Sequence, residues 1–125
     1  MKLSLRVLRV FSRDWQASTE FYEHLLELPC QFRDDDMGWA QFNAGGASLA
    51  VERVTPGDAE GEALYGRFVG ASLETPDIQE AFRVLSERGV HFLSEPELQP
   101  RGGVLAHFED PDGNLLTLLA SGESA

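Results

Sequence analysis

Three histidines and one cysteine are the side chains in this sequence best suited to metal ligation, proton transfer or nucleophilic attack: His24, His91, His107 and Cys30. Their setting argues against one shared centre. His24 falls in a run of helical periodicity, His91 follows the helix-stopping Gly89, and His107 sits in the alternating stretch "VLAHFE", so three unrelated elements would have to converge. Cys30 follows Pro29 with no histidine at a useful spacing, and it reads as a small core hydrophobe; being single, it forms no internal disulfide. No glycine-rich phosphate loop or nucleophile elbow occurs. Carboxylates offer a second chemistry. Glu52 and Glu74 lie in apolar strand-like runs, and Glu74 with His107 is the one pair suited to acid–base work.

The elements that would carry these residues can be read in order. "LSLRVLRV" alternates as a strand, Ser12 or Asp14 caps a helix running to about Leu28, and Pro29 ends it. Short strands are expected near 30–34, 37–43 and 47–54, with Asp34, Asp35, Asp36, Met37 and Gly38 forming the turn between the first two. "TPGDAEGEALYG" lacks periodicity and reads as a linker. The same grammar then returns: a strand in "RFVGASLE", a cap in "TPDIQEAF", a helix to about Arg88 stopped by Gly89, a strand at "VHFLS", and a hairpin closed by Asp110-Pro111-Asp112-Gly113-Asn114. Shifting the chain by about 63 positions lays Asp14 on Asp77 and Val7 on Gly70. A slightly longer shift lays Gly46 on Gly113 and Ala50 on Thr117.

Length and composition bound the partners. The chain has 125 residues, 42% of them hydrophobic, enough for one domain with a core of its own. A net charge of −11 without a basic cluster excludes nucleic acid, and its long-range field favours cationic ligands. Arg6 and Arg9 interrupt the only N-terminal apolar run and no later run reaches spanning length, so no membrane partner and a cytoplasmic location are expected.

Taken together, "RDWQASTEFYEHLLEL", "RFVGASLETPDIQEAFRVLSERGVHFL" and "FEDPDGNLLTLL" resemble the vicinal oxygen chelate superfamily, which includes glyoxalase I, extradiol dioxygenases and bleomycin resistance proteins. Glu27 departs from the pattern, since the family usually has glycine after the first helix. The resemblance implies an α+β fold of two βαβββ modules forming an open, mostly antiparallel, cup-shaped half-barrel. Residues 1–125 are then a single domain, with module one at 1–55, a linker at 56–66 and module two at 67–125.

In metal-dependent members, His, Glu or Gln side chains from the first and last strands of each module hold a divalent ion. Carried across, those positions fall on Leu5 or Val7, Ala50, Gly70 and Thr117, none of them a competent ligand. No metal and no cofactor are therefore expected. The inferred inward parity leaves a cup walled by Arg9, Ser48, Glu52, Ser72, Glu74 and Thr117, with Trp39 and His107 as further candidate contacts if they face it, suited to a small organic molecule. The resemblance is closest in character to the metal-free bleomycin resistance proteins, which implies a homodimer that binds a drug or antibiotic, cationic or aromatic, in a cleft. The alternative is a lyase, isomerase or dioxygenase of the same superfamily that uses atypical ligands, such as Glu52, Glu74 and His107, or acid–base residues.

Overall fold

The computed structural model describes residues 1–120. Two compact units divide the chain, the first ending at Gly66 and the second starting at Arg67. In the first, β1 (Val7–Ser12) leads into a helix α1 (Trp15–Glu20) that widens into a π turn at Phe21–Leu25. Then come β2 (Cys30–Asp34), β3 (Trp39–Asn43) and β4 (Ser48–Arg53). The sheet order is β1-β4-β3-β2, with β1 parallel to β4 and the other pairs antiparallel.

Asp14 starts the helix, its carboxylate accepting from the Ala17 N–H at 3.3 Å and filling one of the donors that a helix start leaves open. Termination comes before Pro29. The Leu26 N–H donates to the Phe21 carbonyl at 3.0 Å, one residue wider than an α turn, and Glu27 then adopts φ 59°, the left-handed conformation. The expected helix to Leu28 is therefore shorter by about half a turn, because Glu27 takes the place of a C-terminal glycine.

On the sheet face under this helix, Val10, Ala40, Phe42, Leu49 and Val51 are buried with Trp15, Phe21 and Tyr22. Phe21 and Tyr22 meet edge to face at 5.1 Å, and the Trp15 indole N–H donates to the Val51 carbonyl at 3.0 Å, so the aromatic anchor keeps its polar atom satisfied. Cys30 corrects an expectation. It is exposed, because β2 is an edge strand whose residues are open to solvent up to Arg33. Within the segment read as a linker one helical turn, α2 (Ala59–Glu62), forms.

The second unit has β5 (Phe68–Glu74), α3 (Ile78–Glu87), β6 (His91–Phe92), β7 (Glu97–Leu98), β8 (Val104–Glu109) and β9 (Leu115–Ala120). Its sheet runs β5-β9-β8-β6, with β7 also paired to β8, and again only the β5–β9 pair is parallel. The strand expected at "VHFLS" shrinks to two residues. Asp77 caps α3 through the Glu80 N–H at 3.1 Å, and Gly89 stops it at φ 93°. Phe82 of α3 meets Phe92 edge to face at 4.8 Å, and Phe92 meets Phe108 at 5.7 Å.

The turn at 110–114 is held by Asp110, whose Oδ1 accepts from the Asp112 and Asn114 N–H groups, each at 2.9 Å. Asn114, fully buried, returns its side-chain amide to Asp110 at 3.0 Å. Both sheets are open and the fold is α+β. Among the described residues no helix is long and apolar enough to cross a membrane.

Candidate ligand-binding site

Strand register decides which residues can share a site, because directly paired residues point to the same face of a sheet. In the second unit His107 on β8 is opposite Thr117 on β9, which is in turn opposite Ser72 on β5. These three form a row across the sheet face away from α3. His107 Nδ1 and Thr117 Oγ1 are 2.8 Å apart, and Thr117 is 5% exposed. The hydroxyl thus fixes the imidazole's rotation and leaves its Nε2 edge available. Phe68, largely exposed, meets the imidazole edge to face at 5.7 Å. Glu74 lies one step along the same face from Ser72, paired with Leu119, and is exposed.

The first unit carries the matching row. Arg9 on β1 is opposite Ala50 on β4, and Ala50 is opposite Gln41 on β3. The repeat seen in the sequence is therefore reproduced in register: Arg9 corresponds to Ser72, Ala50 to Thr117 and Gln41 to His107. One step along, Glu52 lies between Phe11 and Trp39. The Arg9 guanidinium donates to Glu52 Oε1 at 3.0 Å and covers the Phe11 ring at 5.3 Å. Trp39, half-buried, donates its indole N–H to Gln41 Oε1 at 3.1 Å. Arg9, Trp39 and Glu52 are thus brought together on one sheet face, and Ser72, Glu74, His107 and Thr117 on the other sheet's corresponding face.

The positions that would hold a divalent ion do not fit one. β1 begins at Val7, so Leu5 precedes the strand; Val7 offers an isopropyl group, Ala50 a fully buried methyl, and Gly70 no side chain. Thr117 offers a hydroxyl already engaged with His107. A divalent ion requires imidazole, carboxylate or several convergent oxygens. Among the described residues no group of three or more His, Cys, Asp or Glu side chains could hold a metal. His24 is largely exposed beside Glu23 at 3.8 Å, and His91 is exposed at the sheet edge opposite Glu109, so neither joins His107.

Sequence reasoning missed two members of the first face. Gln41 Nε2 donates to Gln31 Oε1 at 3.2 Å, and the Ser48 hydroxyl donates to the same oxygen at 2.7 Å. A bulge between Cys30 and Phe32 brings Gln31 onto this face. Beside these residues an open cavity of about 600 Å³ extends to Arg6 and Asn43, all within the first unit.

Comparison with known proteins follows the same line. Residues 4–118 match the family model described as Glyoxalase/Bleomycin resistance protein/Dioxygenase superfamily. The chain is 31% identical over 115 residues to a bleomycin resistance protein from Klebsiella pneumoniae, covering 86% of this chain and 85% of that one. A member of the same superfamily from Sphaerobacter thermophilus superposes with a TM-score of 0.80 at 30% identity, covering 96% and 98% of the two chains. An antibiotic-binding protein from a Streptomyces species does so with a TM-score of 0.79 at 26% identity, covering 97% and 98%.

Proposed function

The chain belongs to the glyoxalase/bleomycin resistance protein/dioxygenase superfamily, and from that premise we propose that it binds a small organic molecule without a metal, as a homodimer. The observation that carries this reading is the pair of equivalent positions Ala50 and Thr117. One presents a methyl group and the other a hydroxyl turned to His107, so the faces are furnished for contact and hydrogen bonding and not for Lewis-acid chemistry. Likeness to a bleomycin resistance protein and to an antibiotic-binding protein points to an antibiotic with a planar portion.

Each expected contact has a distinct part. Trp39 offers a half-buried ring for stacking, held by its bond to Gln41. His107, Thr117 and Ser72 offer an ordered polar row, and Glu74 an exposed carboxylate on the same face. Glu52 is neutralised by Arg9, so attraction for a cationic drug falls to Glu74 and to the acidic surface as a whole.

Calorimetric titration with bleomycin and with planar aromatic antibiotics tests the proposal, run with and without a chelator. Saturable binding that quenches Trp39 fluorescence and ignores the chelator is expected. Replacing Trp39 by Ala should weaken it by about 1–3 kcal/mol, as for a buried aromatic anchor. Failure of every such ligand, or glyoxalase or extradiol activity on adding a divalent metal, would overturn the reading.

A further inference from the structure

We infer that the cavity beside Gln31 is a separate subsite for a carboxylate group on a small molecule. The direction of its hydrogen bonds is set from one end. An indole N–H only donates, so Gln41 must present its oxygen to Trp39 and its amide nitrogen to Gln31. Gln31 must then present its oxygen to Gln41, and the Ser48 hydroxyl donates to that oxygen as well. The acceptor of Gln31 is saturated by two donors, and its two amide hydrogens are left over.

Asn43 repeats the bias, because its oxygen accepts from the Gly45 N–H at 2.9 Å and its amide nitrogen has no partner among the described residues. The Arg6 guanidinium likewise has no partner among them, although its backbone is fixed by the Ser48 N–H at 2.9 Å. Three donor groups therefore border a cavity of about 600 Å³ with no Asp or Glu in its lining, on a chain whose net charge is −11. Oxygen acceptors satisfy such a surplus, and guanidinium adds the planar fork that matches a carboxylate. At physiological salt the repulsion from distant surface carboxylates is screened within about 8 Å, so the local donors decide.

The subsite is independent of the antibiotic reading, and its test uses different signals. Benzoate, the neutral benzamide and the cationic benzylammonium are titrated into 15N-labelled full-length protein, following the side-chain amide resonances of Gln31 and Asn43. Benzoate should shift both saturably, benzamide should bind about tenfold more weakly, as for the loss of a charge-assisted contact, and benzylammonium should leave them in place. Gln31→Glu keeps the oxygen that receives Ser48 and Gln41 and replaces the free donors by charge. It should weaken benzoate at least about tenfold, and Arg6→Gln, in an exposed segment, should weaken it several-fold. Equal or stronger shifts from benzamide or benzylammonium, shifts from benzoate that do not saturate, or benzoate affinity unchanged in both variants would overturn the proposal.

Discussion

The imidazole of His107 and the hydroxyl of Thr117 face each other across β8 and β9 at 2.8 Å, in the row that in the other unit is filled by Gln41 and a methyl group. Replacing Thr117 by Val keeps the shape and removes the hydroxyl, leaving a part-buried ring nitrogen without its partner. Urea unfolding should show a loss of about 1 kcal/mol with the m value unchanged. Thr117→Ser keeps the hydroxyl and should retain most of that stability; a Val variant as stable as the unmodified protein beside a destabilised Ser variant would show that methyl packing, not the hydrogen bond, is what Thr117 contributes.

Glu27 holds φ 59°, a conformation that costs an L residue with a side chain about 1–2 kcal/mol. Glu27→Gly should therefore raise stability by about 0.5–1 kcal/mol, after allowing for an interaction that Glu27 makes. Thermal denaturation measures it. A lower midpoint would mean that the side chain, and not the backbone, governs this position.

Helix α3 carries an exposed charge relay. Arg83 donates to Glu80 at 2.6 Å and to Glu87 at 2.5 Å, and the hydrogen bond from Arg83, then its charge, holds the Glu80 carboxyl below its ordinary value. A carboxyl depressed in the folded state adds stability that is complete above the unfolded value and is lost as pH falls through the folded one. Carbon-detected titration should show the Glu80 midpoint moving up in Arg83→Gln. An unmoved midpoint would show that the relay is not formed in solution, in keeping with the small worth of exposed pairs.

Two leucines ahead of β1, Leu3 and Leu5, are 88% and 70% exposed, and β1 and β5 are edge strands. Apolar residues next to open edges favour pairing with a second copy. Light scattering at micromolar concentration should give a dimer mass, and Leu3→Ser with Leu5→Ser should shift it toward monomer. A monomer in the unmodified protein would remove the homodimer.

How far the sequence was legible follows from the range of each signal. Caps and turns are local, so Asp14, Asp77, Gly89 and the 110–114 turn declared both units, and period two placed Thr117 on the inward face, while the side of β8 that His107 takes came only with the strand register. Arg9 and Glu52 were legible as neighbours of one face but not as an ion pair, because they are diagonal across β1 and β4 and 43 residues apart. Gln31 was hidden by the bulge at Cys30–Phe32, which breaks the alternation of β2. The exposure of Cys30 depends on β2 being an edge, a property of strand order that no local pattern carries.

The shared register of the two sheets also has a meaning for engineering. Since Gln41 and Ala50 occupy in one unit the addresses that His107 and Thr117 occupy in the other, the molecule offers two editable slots of one geometry. A library confined to positions 41 and 50 samples the cross-strand geometry already in use at 107 and 117, while every strand pairing of the second sheet stays as it is. Recognition chemistry can in this way be written into one slot with the other kept as an internal reference.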